Sequence, residues 1–264
     1  MNPHALAPRE PPRGPLSGIG IVVTRPARQA AAFAQQLAAL GATPIVWPAI
    51  VILPPDDPAP LARVHASLRD YDLAFFVSAN AAEYGAPPVG HWPARLVAYA
   101  PGPGTAAALA AVGVPDARIP ATTYDSEGLL ALPALAQLAG KRAILFRGQG
   151  GRELLGDTLA QRGARVDAVS CYRRAAPTGS ARGLLDAFAE GRAHVLTLTS
   201  AEGVDNLMRA VGAAGRASLA RVPAFAPHPR IVEHARAAGL DARLSGGGDA
   251  GLIAALLEWA PARS

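Results

Sequence analysis

The amino-acid sequence predicts an α/β fold with parallel sheets, and two observations carry this prediction. Short apolar runs of strand length alternate along the 264-residue chain with alanine- and leucine-rich segments of helical spacing. Most of the runs are apolar at both alternating positions, which is typical of parallel strands covered on both faces. The six runs are 19–23, 73–77, 96–100, 142–146, 194–198 and 222–226.

The segments between these runs have the apolar spacing of helices. Phe33, Leu37 and Leu40 lie at i, i+4 and i+7, which places them on one helical face. A glycine stands where each of several helices is expected to end, because glycine readily adopts the left-handed conformation found there. These glycines are Gly41, Gly113, Gly163 and Gly239.

A repeat relates different parts of the chain. The stretches "RPARQAAAFAQQLAALGA" (25–42) and "RGQGGRELLGDTLAQRGA" (147–164) both begin with an arginine after an apolar run and end on Gly-Ala. In the same way, "APGPGTAAALAAVG" (100–113) resembles "APHPRIVEHARAAG" (226–239). The chain therefore contains two kinds of half-unit. In chain order they are A (19–47), B (72–135), A′ (142–169) and B′ (194–259).

Two domain arrangements are compatible with this order of half-units. Pairing A with B and A′ with B′ gives tandem domains, whereas pairing B with A′ gives a central domain inserted into an outer one. Two extended, β-rich stretches closed by proline, 48–55 and 168–177, look like crossings and favour the insertion, with a cleft between two lobes. The predicted division is a disordered tail at 1–17, an outer lobe at 18–50 plus 177–260, an inserted lobe at 54–170, and linkers at 51–53 and 171–176.

The composition excludes several classes of function. Half of the residues are apolar and 17% are charged, as in globular proteins, and no apolar run reaches the roughly 18 residues of a membrane span. The net charge of +5 comes without basic runs interleaved with aromatic residues, so no nucleic-acid partner is expected. The single cysteine, Cys171, excludes an internal disulfide, suits a reducing cytosol and is expected to be a packing residue. The proline-rich residues 1–17 lack the apolar core of a secretory signal.

The ends of the predicted strands are the expected functional surface. In an open parallel sheet, ligands bind beyond the carboxyl ends of the strands, where helix N-termini present unpaired N–H groups that favour anions. This placement predicts a ligand with several negative groups. The residues that directly follow predicted strands are Arg25, Ser78, Pro101, Arg147, Ser200 and Pro227.

The residues at these ends also have purely structural interpretations. Arg25 and Arg147 could grip carboxylates with their planar guanidinium groups or be ordinary surface arginines. Hydroxyl residues at loop-to-helix junctions either cap the helices or contact a ligand. They are Ser78, Thr105, Ser126 and Ser200. No phosphate loop, dinucleotide fingerprint, metal-ligand spacing or Ser-His-Asp order is present, so a redox or metal enzyme is not expected.

Seven segments carry a resemblance to a known family. They are "GIGIVVTRP…AFAQQLAALGATPIVWPAIVI", "DLAFFVSANAAEYG", "AYAPGPGTAAALAAVGV", "YDSEGLL", "RAILFRGQGGRELLGDTLAQRGARVDAVSCYRR", "VLTLTSAEGVDNL" and "VPAFAPHPRIVEHARAAGL". In this order, over roughly residues 18–258, the chain resembles the uroporphyrinogen-III synthase family. The resemblance implies two flavodoxin-like parallel-sheet lobes joined by a two-stranded linker, with the second lobe inserted into the first.

The resemblance also implies an activity. The family consists of cofactor-free lyases of haem and tetrapyrrole biosynthesis that cyclise hydroxymethylbilane, an octacarboxylate, to uroporphyrinogen III with inversion of ring D and loss of water. The pyrrole nitrogen itself expels the hydroxyl group, so the protein must mainly fold the substrate into the reactive geometry. At most one general acid is then needed, to help the hydroxyl group leave.

The family's motif places the candidate acid at Tyr172, and the alternative is that this tyrosine only packs the hinge. At Arg230 and Ile231 the chain departs from relatives with small hydroxyl residues after the proline, so a backbone contact could survive there and a hydroxyl contact could not. The candidate substrate-binding residues are Arg25, Ser78, Asn80, Thr105, Ser126, Arg147, Gly148, Arg152, Ser200 and Arg230.

Two other functions remain open on the residues alone. A non-catalytic two-lobe protein that binds a polyanionic small molecule would share the fold, but such proteins are usually exported and no signal sequence is present. A flavodoxin-like regulatory domain would not need anion-binding ends on both lobes. The leading prediction is therefore a cytoplasmic, monomeric enzyme whose partner is a tetrapyrrole, with no membrane or nucleic-acid partner.

Overall fold

The computed structural model describes residues 14–150 and 153–260, and the chain divides into two compact units. Unit 1 contains the chain up to Val51 and from Ala175 onward, and unit 2 is Ile52–Arg174. Unit 2 is therefore inserted into the chain of unit 1. Each unit is built on a five-stranded sheet, so the predicted α/β fold with two largely parallel sheets is confirmed.

Unit 1 has its strands in the order β10-β9-β8-β1-β2, and all neighbouring pairs run parallel. Its strands, numbered in chain order through the whole protein, are β1 (Gly20–Val23), β2 (Thr43–Val46), β8 (Val195–Thr197), β9 (Pro223–Ala226) and β10 (Asp241–Leu244). Its helices are α1 (Ala27–Ala39), α7 (Arg182–Ala189), α8 (Ala201–Leu219), α9 (Pro229–Ala237) and α10 (Gly248–Trp259). Counted within the unit, the strand order is the flavodoxin-like 2-1-3-4-5.

Unit 2 has its strands in the order β3-β7-β6-β4-β5, and the ladder from β7 to β5 is parallel. Its strands are β3 (Val51–Leu53), which begins at the unit boundary, β4 (Leu73–Phe76), β5 (Val97–Tyr99), β6 (Arg142–Gly148) and β7 (Arg165–Ala175). Its helices are α2 (Ala59–Ala66), α3 (Ala79–Gly85), α4 (Pro103–Ala111), α5 (Ser126–Leu130) and α6 (Leu154–Gln161). Single 3₁₀ turns cover Leu68–Asp70 and Pro133–Leu135.

The sheets are stabilised by apolar layers on both faces. In unit 1, Phe33 and Leu37 of α1 pack on one face of the sheet, and Leu207 of α8 packs on the other. In unit 2, the Phe76 and Phe146 rings stack with centroids 4.4 Å apart. Each such side chain contributes about 1.5–3 kcal/mol to stability when it is fully buried. The continuous apolar runs of the sequence follow from this two-sided burial.

The predicted helix ends are confirmed at all four glycines. The helices α1, α4, α6 and α9 end two residues before Gly41, Gly113, Gly163 and Gly239. Each of these glycines has a φ between 83° and 95°, the left-handed region that other residues rarely adopt.

The predicted disordered tail at 1–17 is wrong for residues 14–17. These residues form a turn in which the Leu16 side chain is fully buried and its N–H group donates to the Leu40 carbonyl at 3.0 Å. The proline-rich composition predicts a tail because it carries no helical or strand pattern. A backbone hydrogen bond and one buried leucine nevertheless fix residues 14–17 against the fold. Residues 1–13 lie outside the described residues.

The unit boundaries fall between Val51 and Ile52 and between Arg174 and Ala175. Both lie inside the predicted linkers, 51–53 and 171–176. The structure places β3 beside β7 in the sheet of unit 2, so linker residues also belong to that sheet. Within the described ranges, no helix has the length and apolarity needed to cross a bilayer.

Candidate active site

The carboxyl end of the unit 2 sheet brings Tyr172 and Ser78 together. Tyr172 lies on β7 with 5% of its surface exposed, and its Oη atom is 3.2 Å from Ser78 Oγ. Ser78 follows β4 and caps α3, because its Oγ atom accepts a hydrogen bond from the Ala81 N–H group at 3.1 Å. A phenol and a hydroxyl group from distant parts of the chain therefore meet at the carboxyl end of the sheet.

Gly148 makes room for the Tyr172 ring. The ladder between β6 and β7 shifts its register at Arg147 and Gly148, so that Gly148 lies opposite Tyr172. A Cβ atom at position 148 would lie 2.6 Å from Cζ and 2.9 Å from Oη of the phenol, closer than such atoms approach. The Gln149 N–H group also donates to the Tyr172 carbonyl at 2.9 Å. The absence of a side chain at 148 is thus a requirement of the phenol's position.

Two further side chains pack around this tyrosine. The Tyr84 ring lies 6.3 Å from the Tyr172 ring, and its hydroxyl donates to the Ile52 carbonyl at 3.2 Å. Cys171 is fully buried, and its Sγ donates to the Arg147 carbonyl at 3.3 Å. Burial raises the pKa of the Cys171 thiol to about 12, so it stays protonated and serves as a packing residue, as the sequence predicts.

Arg147 binds a carboxylate within its own unit. It lies inside β6, not after the strand, and its side chain is only 14% exposed. Its Nη1 and Nη2 atoms donate to the two carboxylate oxygens of Glu153 at 2.7 and 2.9 Å, and Nη2 also donates to the Gly150 carbonyl at 3.0 Å. The Arg147 guanidinium, by hydrogen bond and charge, lowers the pKa of the Glu153 carboxyl. The fork geometry is the one a substrate carboxylate would use.

Tyr172 lines two cavities of opposite character. The smaller, of about 150 Å³, is also lined by Arg147 and Arg174. The larger, of about 340 Å³, is lined by Asp56 and Asp57. The smaller cavity is thus the one lined by arginines, although Arg147 is paired with Glu153.

Two of the predicted junction residues are not helix caps. Asp125, not Ser126, caps α5 by accepting from the Gly128 N–H group at 2.8 Å, and Ser126 is the first helical residue. Gly102 occupies the N-cap of α4, so Thr105 lies within the first turn and is 7% exposed. Ser126 nevertheless lines the smaller cavity beside Tyr172.

The predicted residues of unit 1 lie at the carboxyl end of that unit's own sheet. Arg25 is paired with Asp249 at 2.7 Å, stacks over the Phe33 ring and is 11% exposed. Ser200 caps α8 by accepting from the Gly203 N–H group at 3.0 Å. Arg230 is exposed in the first turn of α9.

The remaining predicted residues are Asn80 and Arg152. Asn80 is half-buried in the first turn of α3, directly after the Ser78 cap region. Arg152 lies outside the described residues.

Sequence reasoning missed two charged residues near Tyr172. Arg174 lies two positions after Tyr172 on the same strand, and alternation along a strand puts both on one face, so this residue could have been found. Glu153 carries no such signal, because no periodic pattern of the sequence relates it to Arg147. Among the described residues, no group of three or more histidine, cysteine, aspartate or glutamate side chains could hold a metal ion.

Comparison with known proteins identifies the family. A family model described as uroporphyrinogen-III synthase HemD matches residues 31–245. The chain belongs to the uroporphyrinogen-III synthase family. The resemblance read from the sequence is thereby confirmed.

Individual relatives of the chain carry the name of the same family. The chain is 39% identical to the uroporphyrinogen-III synthase of Salmonella typhimurium over 162 residues, which are 60% of this chain and 66% of the relative. It is 34% identical to that of Synechococcus elongatus over 199 residues, 73% of this chain and 74% of the relative. The chain thus spans slightly less than two thirds of the Salmonella relative.

Solved structures of uroporphyrinogen-III synthases share the fold. The Helicobacter pylori structure matches with a TM-score of 0.55 at 14% identity, covering 90% of this chain and 98% of that chain. A mutant Thermus thermophilus structure matches with a TM-score of 0.52 at 22% identity, covering 89% of this chain and 96% of that chain. These matches support the two-lobe α/β architecture of the family.

Proposed function

We propose that this chain is a uroporphyrinogen-III synthase, a lyase that cyclises hydroxymethylbilane to uroporphyrinogen III with inversion of ring D and loss of water. The observation that carries the proposal is the family match over residues 31–245, a range that contains Tyr172 and the side chains around it. The names of the Salmonella typhimurium and Synechococcus elongatus relatives support it.

This chemistry requires the protein mainly to position the substrate. The lone pair of a pyrrole nitrogen expels the terminal hydroxyl group and leaves an electrophilic azafulvene. The substituted carbon of ring D attacks it, the resulting spiro intermediate fragments, and the ring recloses in the inverted orientation. The protein must favour this carbon over its unsubstituted neighbour by holding the linear substrate folded.

Tyr172 is the proposed general acid of this reaction. Its phenol could give a hydrogen bond, and then its proton, to the departing hydroxide, which leaves as water. The proposal is supported by the position of Tyr172, a lining residue of both cavities at the carboxyl end of the unit 2 sheet.

The carboxylates of the substrate need cationic and N–H donors. Arg147 and Arg174 in the smaller cavity are proposed to bind one of them, because the Arg147 fork already binds the Glu153 carboxylate in this geometry. Arg25, Ser200 and Arg230 of unit 1 remain predicted carboxylate contacts. We further propose that the enzyme is cytoplasmic and monomeric and needs no cofactor. The single cysteine is consistent with a reducing compartment.

The experiment is incubation of the full chain with hydroxymethylbilane, followed by separation of the type I and type III isomers of the product. A synthase gives mostly type III. A non-catalytic binding protein would sequester the substrate, and a regulatory domain would ignore it. In both of these cases the type I isomer from uncatalysed closure would dominate the free pool, and the proposal would fail.

A further inference from the structure

The hydrogen bonds of Ser78 can be counted among the residues that the structure describes. A serine hydroxyl has one proton to donate and two lone pairs that accept. One lone pair receives the Ala81 N–H group at 3.1 Å, and the other neighbour is Tyr172 Oη at 3.2 Å. Either oxygen could supply the proton of the bond to Tyr172. The direction of this bond decides where the phenol's own proton points.

The surroundings favour Ser78 as the donor. Among the residues that the structure describes, Tyr172 Oη is the acceptor within reach of the Ser78 proton. If Tyr172 donated instead, the proton of the half-buried serine would lose that acceptor. The phenol has an alternative for its proton, because Tyr172 lines two cavities. Donation from Ser78 gives the serine proton its acceptor and leaves the phenol proton directed at a ligand.

The ring itself is held independently of this bond. The phenol lies against Gly148, where a Cβ atom would be 2.6 Å from Cζ, and the backbone of Tyr172 is bonded to Gln149. Ser78 therefore does not anchor the ring but orients its hydroxyl group. A donor to the phenol oxygen also stabilises the negative charge that develops there as the proton leaves.

We infer that Ser78 is a positioning residue for Tyr172, whose hydroxyl donates to the phenol oxygen and thereby keeps the phenol proton available to the leaving hydroxyl group of the substrate. This role rests on the proposed synthase function. It replaces the direct substrate contact expected of Ser78 from its place in the sequence.

The test begins with Ser78→Gly and Ser78→Thr. Ser78 has an extended backbone, with φ −165° and ψ 166°, which both replacements adopt, and glycine is tolerated at a helix N-cap. We expect Ser78→Gly to lower kcat for type III formation about tenfold with KM changed less than about twofold. The reason is that a misoriented general acid contributes less to the rate. Ser78→Thr keeps a donor and should restore kcat to within about twofold of wild type.

A double-mutant cycle separates positioning from an independent role. If Ser78 acts through the phenol, Ser78→Gly should cost less than about twofold in a Tyr172→Phe background. An equal loss of kcat in both backgrounds, or full activity of Ser78→Gly alone, would overturn the inference while leaving the synthase function intact. The matched control is Ser180→Gly in unit 1, which removes an exposed serine that accepts from the Arg182 N–H group at 3.1 Å and should leave kcat unchanged.

A second readout does not depend on turnover. With tyrosine labelled at ¹³Cζ, the Tyr172 signal is assigned by its loss in Tyr172→Phe. It should shift in Ser78→Gly and return in Ser78→Thr. If the wild-type chain makes no type III isomer, the proposed function fails, and this signal still decides the contact. An unshifted signal in Ser78→Gly overturns the inference in either case.

Discussion

Unit 1 and unit 2 share the order of four strands but differ in the edge that carries the fifth strand, β10 beside β9 in one and β3 beside β7 in the other, and in where the strands end. The order β2-β1-β8-β9 of unit 1 corresponds to β7-β6-β4-β5 of unit 2, half-unit for half-unit. However, β2 has 4 residues whereas its counterpart β7 has 11, and the extra length carries Tyr172 and Arg174. The repeat therefore builds two similar sheets, and the candidate chemistry lies on an extension that unit 1 lacks.

The two units also use a corresponding arginine differently. In unit 1, Arg25 is paired with Asp249, 224 residues away on α10, and stacks on Phe33. In unit 2, Arg147 is paired with Glu153, which is 64% exposed and only six residues away. The first pair joins residues that are far apart in the sequence, so its replacement is expected to disturb packing. The second is local, which fits the proposal that a substrate carboxylate takes the place of Glu153.

The largest expected effect tests whether the extension of β7 carries the acid. Tyr172→Phe should lower kcat for type III formation about 100-fold, the low end for a lost general acid, while product affinity stays nearly unchanged. Steady-state kinetics and a product titration measure the two quantities. Tyr71→Phe is the control, because it removes a phenol that donates to Asp167 at 2.9 Å in the same unit. Full activity of Tyr172→Phe would return Tyr172 to a packing role.

The next prediction tests whether the Tyr172 phenol needs the space left by the missing side chain at Gly148. Gly148→Ala should lower kcat about tenfold or more, because the new Cβ atom displaces the general acid. Gly156→Ala on α6 is the matched control. Its Cβ atom would meet only Leu145 at an ordinary 3.6 Å, and alanine stabilises a helix interior by about 0.5–1 kcal/mol relative to glycine. Equal activity in both variants would show that the phenol does not need its present place.

Local patterns account for most of what the sequence predicts. Apolar runs and glycine stops lie within single elements, so the strands and the ends of α1, α4, α6 and α9 follow from them. The Ser78–Tyr172 contact joins residues 94 apart, and the place of Gly148 depends on a register shift between two strands. Neither is encoded in any short window. The N-cap of α5 is Asp125 and not Ser126 for a different reason. Adjacent residues with a similar propensity for the N-cap compete for one position.

A smaller effect should distinguish the two arginines. Arg147→Gln is expected to raise KM for hydroxymethylbilane about tenfold at low ionic strength and less at high salt, since added ions screen the lost attraction. Arg25→Gln should change KM less and instead lower the melting temperature, because it breaks a contact between α10 and the strand-end region of β1. Equal changes of KM in both variants would contradict the functional difference between the units.

The smallest effect concerns the carboxylate that Arg147 already holds. Glu153→Gln removes the competing charge, so KM should fall by about twofold at neutral pH, within the modest range of exposed ion pairs. Because Arg147 lowers the pKa of Glu153, the pair is intact at neutral pH and is lost only as the pH falls through that depressed value. Wild type and variant should therefore differ in KM throughout the neutral range and converge only in acid. A higher KM in Glu153→Gln would mean that Glu153 holds Arg147 in place for the substrate and does not compete with it.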